Sequence, residues 1–133
     1  MKSRGIIASD PDQLRTQPAP ELDTTAADAE ALLPEIAEGE ACLLVRNGSE
    51  AGTAYRLVPS VVVGRHPLCD IVLSDITVSR HHVELEKTDV GFVVTDLGSL
   101  NGTYVNGVRV DRAALASGDA VQIGRFKFVF VCK

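Results

Sequence analysis

An all-β sandwich preceded by an acidic tail is the architecture that this 133-residue sequence predicts, on three observations. From Ala41 onward, short β-rich runs alternate with turn residues, and no helical periodicity intervenes. An Asn106-Gly107 pair separates two of these runs, the strongest short-range signal for a hairpin. Charge is segregated as well: residues 1–40 hold nine acids and three bases, and residues 41–133 hold nine acids and ten bases.

The tail comes first. It contains four of the six prolines (Pro11, Pro18, Pro20, Pro34) and neither an aromatic residue nor a valine. Such a composition buries too little apolar surface to offset chain entropy, so residues 1–40 are expected to be a disordered acidic tail. Within it, Thr25 to Leu33 has the marks of one short helix. Thr25 with Asp28 resembles a capping box, Ala29, Leu32 and Leu33 share a face, and Pro34 stops the turn.

The body follows as residues 41–133, a length that suits a single sandwich. Its runs are ACLLVR from Ala41, TAYRLV from Thr53, SVVVG from Ser60, IVL from Ile71, HVELEK from His82 and GFVVTD from Gly91. Then come TYV from Thr103, VRV from Val108, AVQIG from Ala120 and FKFVFVC from Phe126. A type I′ turn needs positive φ at both central residues, which Asn106-Gly107 supplies between TYV and VRV. In the last run Phe126, Phe128 and Phe130 fall on one face and Lys127, Val129 and Val131 on the other, so this strand is expected to anchor the core.

Composition excludes several functions. At 45% hydrophobic and 23% charged, the chain is of globular type. Its longest apolar runs, such as Phe128 to Val131, fall far short of the roughly 20 residues of a membrane-spanning helix. Met1 to Asp10 has too little apolar content for a secretory leader, so a cytoplasmic protein without a membrane partner is expected. A net charge of -5 argues against nucleic-acid binding. Cys42, Cys69 and Cys132 are odd in number and widely spaced, which suggests reduced thiols and neither a disulfide framework nor a zinc site. No cofactor and no metal are expected.

Three connections carry polar residues that the sandwich pattern does not explain: Gly64-Arg65-His66-Pro67, Ser79-Arg80-His81-His82 and Ser99-Leu100-Asn101-Gly102-Thr103. Loops of a sandwich cluster at its ends, so these can converge on one ligand. Arg65 and Arg80 offer guanidinium forks suited to a phosphate, and Ser79 adds a short hydroxyl donor. Asn101 can both donate to and accept from the main chain of an extended peptide. Gly64 and Gly102 permit close approach or unusual φ. Two arginines without a large basic field suit a single phosphate better than a polyanion.

At these residues the sequence resembles the forkhead-associated domain, through Gly64-Arg65, Ser79-x-x-His82 and Asn101-Gly102 with a second Asn106-Gly107. The resemblance covers residues 41–133. It implies an eleven-stranded β-sandwich that binds phosphothreonine peptides without catalysis, with Arg65, Ser79 and Arg80 on the phosphate and Asn101 on the peptide backbone. His82 would brace the loop, as would Gly64 and Gly102. Leu100 departs from the family, where many members place a hydroxyl that also reaches the phosphate. The stretches ITVSRHH, TDLGSLNGTYVN and GDAVQIGRFKFVF look closer still to an actinobacterial subgroup of oxoglutarate dehydrogenase inhibitors and glycogen accumulation regulators. That resemblance implies a serine/threonine kinase and 2-oxoglutarate dehydrogenase or glutamate dehydrogenase as partners. It also implies that Thr24 or Thr25 is a phosphoacceptor whose tail then binds its own domain and inhibits it.

Other readings stand beside these. Arg65 can pair with Asp70 as a surface ion pair, and Thr25 can serve as a helix cap. Ser79, His82 and Asp96 are a conceivable hydrolytic set, but no nucleophile elbow or glycine-rich oxyanion loop precedes Ser79. His66, Cys69, His81 and His82 are a conceivable metal set, but adjacent histidines in a strand would point to opposite faces. The alternative of a different class is a scaffold that binds an unmodified partner, which phosphate dependence would separate from the main reading.

Overall fold

The computed structural model describes residues 36–133, and these form eleven strands. They are β1 (Ala41–Val45), β2 (Ala54–Leu57), β3 (Ser60–Gly64), β4 (Ile71–Val72), β5 (Val83–Thr88), β6 (Gly91–Asp96), β7 (Thr103–Val105), β8 (Val108–Val110), β9 (Arg112–Ala114), β10 (Ala120–Ile123) and β11 (Phe126–Cys132). One sheet runs β2-β1-β11-β10-β7-β8 and the other β4-β3-β5-β6-β9, as the expected eleven-stranded sandwich requires. Thr24, Thr25 and the expected helix from Thr25 to Leu33 lie outside the described residues.

Alternation along the strands builds the core. Leu43 and Val45 of β1 and Phe126, Phe128 and Phe130 of β11 face Val61, Val63, Val83, Leu85, Phe92 and Val94 of the other sheet. Phe92 and Phe130 meet across the sandwich with ring centroids 5.7 Å apart. β11 pairs with both β1 and β10, so the phenylalanine strand occupies the centre of its sheet. Its other face is also buried: Val129 and Val131 pack with Cys42, Leu44 and Ile36 in a second cluster on the outside of the six-stranded sheet. Residues 36–40 therefore belong to the packed unit, fixed further by Gly39 N–H donating to the Lys133 carbonyl at 3.1 Å and Lys133 N–H to the Glu40 carbonyl at 3.1 Å.

The hairpin forms as its turn residues dictate. Val105 opposes Val108, and between them Asn106 and Gly107 have φ of 51° and 83°. The Asn106 side chain accepts from Ala120 N–H at 2.9 Å, tying this hairpin to β10. Strand β9 was not anticipated: Arg112-Ala113-Ala114 has weak β propensity and is extended because it pairs with β6 at the sheet edge.

Candidate functional site

Four connections meet at one end of the sandwich: the β3–β4, β4–β5 and β6–β7 loops and the β10–β11 turn. Gly64, the last residue of β3, begins the assembly. A Cβ there would sit 2.1 Å from the Arg80 carbonyl oxygen, so only glycine lets the two backbones touch. That approach allows Arg65 N–H to bond the Ser79 carbonyl at 3.0 Å and His66 N–H the Arg80 carbonyl at 3.1 Å. Gly64-Arg65 and Ser79-Arg80, well apart in sequence, are thus neighbours. Cys69 adds an Sγ–H bond to the Arg80 carbonyl at 3.2 Å.

His82 is fully buried beneath them. Its Nδ1 accepts from Ser79 N–H at 3.0 Å, which leaves the proton on Nε2 to donate to the Gly102 carbonyl at 2.9 Å. One imidazole therefore fastens the second loop to the third. Both nitrogens are committed, so His82 is not a base for the Ser79 hydroxyl and the hydrolytic set is not assembled. Asp96 is not an orienter of His82 either: its carboxylate accepts from the Ser99 hydroxyl at 2.5 Å, the Thr103 hydroxyl at 2.7 Å and the amides of Gly98 and Ser99, each at 3.0 Å. Burial raises the Asp96 carboxyl, but those hydroxyl and amide donors outweigh it and hold the group below the usual range.

Thr77 links the remaining pieces. Its carbonyl accepts from the Asn101 side-chain amide at 2.8 Å. Its hydroxyl donates to Asp75 at 2.6 Å and accepts from Arg125 N–H at 2.9 Å, while Arg125 Nε bonds the same Asp75 carboxylate at 2.5 Å. The Thr77 hydroxyl, then the Arg125 guanidinium and the Thr77 amide, lower the Asp75 carboxyl to about 2. A carboxyl depressed on folding contributes stability that is present above its unfolded value, near 3.8, and lost as pH falls through about 2. Acid titration between these limits should loosen the β4–β5 loop, and Asp75→Asn should remove that part of the pH dependence. Equilibrium unfolding of the two proteins at pH 5 and at about pH 2.5 measures it, with equal acid sensitivity as the opposing result.

With the scaffold complete, several donors remain unused. Arg65 Nε is held by the Val78 carbonyl at 3.0 Å, which fixes the guanidinium plane while its Nη groups meet no acceptor among the described residues. Arg65 does not pair with Asp70, whose carboxylate caps Val62 N–H at 2.8 Å. The Ser79 hydroxyl accepts from Leu100 N–H at 3.0 Å, leaving its own proton to donate. Arg80 is exposed, without a side-chain bond among the described residues. Asn101 keeps its carbonyl oxygen and one amide hydrogen. The His66 and His81 rings stack 5.3 Å apart beside the arginines. Cationic, hydroxyl and amide donors thus converge from neighbouring loops, a surface suited to a phosphate on an extended chain.

The structure therefore brings Arg65, Ser79, Arg80 and Asn101 to one face, braced by Gly64, His82 and Gly102. Sequence reasoning missed the braces Asp75, Thr77, Asp96, Ser99 and Arg125. Asp96-Leu97-Gly98-Ser99 carried a signal, because an aspartate two and three residues before a glycine and a serine is an Asx-turn pattern. Among the described residues no group of three or more His, Cys, Asp or Glu is placed to hold a metal ion.

The FHA domain family model matches residues 61–124. The glycogen accumulation regulator of Mycolicibacterium smegmatis is 47% identical over 116 residues, covering 84% of this chain and 73% of that protein. The oxoglutarate dehydrogenase inhibitor of Corynebacterium glutamicum is 42% identical over 112 residues, covering 84% of this chain and 78% of its own. The match to the glycogen accumulation regulator of Mycobacterium tuberculosis is 51% over 94 residues and spans 58% of that relative's length. Among solved structures, a domain from a study of phosphothreonine-dependent FHA interactions superposes with a TM-score of 0.65 at 32% identity, over 71% of this chain and 97% of that one.

Proposed function

Because this chain belongs to the FHA domain family, alongside actinobacterial glycogen accumulation regulators and oxoglutarate dehydrogenase inhibitors, we propose that it is a non-catalytic signalling module that binds phosphothreonine segments through Arg65, Ser79, Arg80 and Asn101. The observation that carries the reading is the junction of Arg65 and Ser79, whose backbones are bonded at 3.0 Å and whose side chains each keep unused donors. A phosphothreonine brings about -1.5 to -2 charges at pH 7 and three acceptor oxygens, which those donors match. Arg65 and Arg80 would take the phosphate, Ser79 one of its oxygens, and Asn101 the main chain of the peptide.

By analogy with the regulators it resembles, its targets are metabolic enzymes such as 2-oxoglutarate dehydrogenase or glutamate dehydrogenase, and its control is a serine/threonine kinase acting on Thr24 or Thr25. The free cysteines Cys42, Cys69 and Cys132 favour a reducing, cytoplasmic setting. Titrating the labelled protein with a phosphothreonine peptide should shift the amide signals of Arg65, Ser79, Arg80 and Asn101 before any others. Shifts confined to another face would remove the assignment.

A second reading has its own observation. Leu68, Ile76 and Leu100 project from the same three loops at 86%, 93% and 85% exposure, a surface that also fits an unmodified protein partner. On that reading the dephosphorylated peptide would shift the same signals.

A further inference from the structure

The arginines among the described residues fall into two groups. Arg56 pairs with Glu40, Arg125 pairs with Asp75, Arg112 bonds the Thr95 hydroxyl at 3.1 Å, and Arg46 is also engaged. Arg65, Arg80 and Arg109 differ: the Nη groups of the first, and the whole guanidinium of the other two, meet no acceptor among the described residues. Two of these three are the arginines assigned to the phosphate. The third comes to the same end of the sandwich from another element. Arg109 stands opposite Tyr104 in the β7–β8 hairpin, and its exposed side chain runs back along that face to Gly102. A Cβ on Gly102 would sit 2.8 Å from Arg109 Nε, 3.0 Å from its Cζ and 3.2 Å from its Cδ, so the guanidinium lies across the bare backbone of the residue after Asn101. With a φ of 86°, Gly102 also holds a left-handed conformation, so no other residue type leaves that surface open as easily. His82 bonds Ser79 N–H on one side and the Gly102 carbonyl on the other. Gly102 is therefore one imidazole away from Ser79 and Arg109 lies just beyond, a step of two or three residues along an extended chain at about 3.3 Å each.

We propose that Arg109 is a specificity-determining residue of the site and takes the carboxylate of an acidic neighbour of the phosphothreonine. The inference rests on the function proposed above and narrows the segment that the site selects. Charge complementarity chooses the carboxylate, because an unpartnered guanidinium presents a planar fork that a carboxylate can meet with two parallel bonds. The phosphate itself is already supplied by Arg65, Ser79 and Arg80. Asn101, assigned to the main chain of the peptide, directly precedes Gly102, so Arg109 meets what lies further along that chain and not the phosphorylated side chain. A hollow of about 320 Å³, lined in part by Asn101 and Tyr104, opens beside them and leaves room for the acidic side chain. Such a pair is exposed, so its share of the affinity is modest and sensitive to salt.

The test titrates the 133-residue chain by calorimetry with phosphothreonine peptides in an alanine background, a single glutamate being moved through the nearest positions on either side of the phosphothreonine. At low salt, glutamate at one position, or at two on the same side, should bind about three- to fivefold tighter than the alanine reference, a gain that fades at about 0.5 M salt. Arg109→Leu should bring that preference close to one. Arg109→Glu should reverse it, so that lysine at the same position is favoured over glutamate, a result that a merely structural role for the side chain would not produce. The side chain is exposed, so neither substitution touches the core. Arg80→Ala should weaken every peptide and keep the preference. An equal gain from glutamate at all positions reports only the general field of the site and overturns the proposal. A preference that survives Arg109→Leu, or that Arg80→Ala removes, overturns it as well. Absence of any glutamate preference while phosphate is still required refutes the role of Arg109 alone, whereas binding that ignores the phosphate refutes the proposed function together with it.

Discussion

Arg65→Ala should lower affinity for a phosphothreonine peptide by at least about 100-fold while leaving the domain folded. The guanidinium is the group most fully prepared for phosphate, because the Val78 carbonyl orients it through Nε and its Nη pair is unspent. Each charge-assisted bond contributes about 1.5 to 3 kcal/mol, so losing a bidentate pair costs about 3 kcal/mol even at the low end, which corresponds to somewhat over 100-fold. The side chain is exposed and outside the core, and the backbone bond to Ser79 survives the substitution. Arg80→Ala should cost less, about tenfold, since no bond pre-orients that side chain. Calorimetry on variants whose unfolding matches the parent decides; parental affinity for Arg65→Ala would remove the residue from the site.

Phosphorylation of Thr24 or Thr25 should weaken binding of an external phosphopeptide by about 100-fold. A ligand tethered through a short chain reaches an effective concentration in the millimolar range, so a tail site with a dissociation constant of about 10 μM would be closed roughly 99% of the time. The tether is shorter than the sequence suggests. Ile36 is packed on the sheet, so the connection from Thr25 is 11 residues and not the 16 counted from Ala41. Closure would compete directly for Arg65, Ser79, Arg80 and Asn101, a switch made by occupancy without a change of fold. Thr24→Ala with Thr25→Ala, treated with kinase, should keep full external binding. Equal affinities before and after phosphorylation, or dimers in place of closed monomers, would refute intramolecular control.

The strand pattern was legible because each run obeyed one local rule. Phe126, Phe128 and Phe130 announced an inward face by period alone, and Asn106-Gly107 announced its turn by the φ values it tolerates. Arg65, Ser79 and Asn101 stood out for a different reason: each alone has an ordinary surface explanation, and only the three motifs taken together set them apart. What stayed hidden is non-local. Nothing around Thr77 says that its carbonyl will meet Asn101 or that its hydroxyl will join Asp75 to Arg125, 50 residues later. Nor does Gly64 declare that it exists for the backbone of Arg80. Likewise, Val129 and Val131 read as an outward face, and among the described residues it is their cluster with Ile36, Cys42 and Leu44 that accounts for their burial.

The central claim is that one face, made by three loops, recognises a phosphate on threonine. Its most direct measurement is calorimetric titration of the unphosphorylated 133-residue chain with a single peptide in phosphothreonine and unmodified forms. The account predicts saturable binding of the first, with loss of the phosphate weakening affinity by at least about 100-fold, the worth of two charge-assisted bonds. Equal affinity for both forms would contradict it.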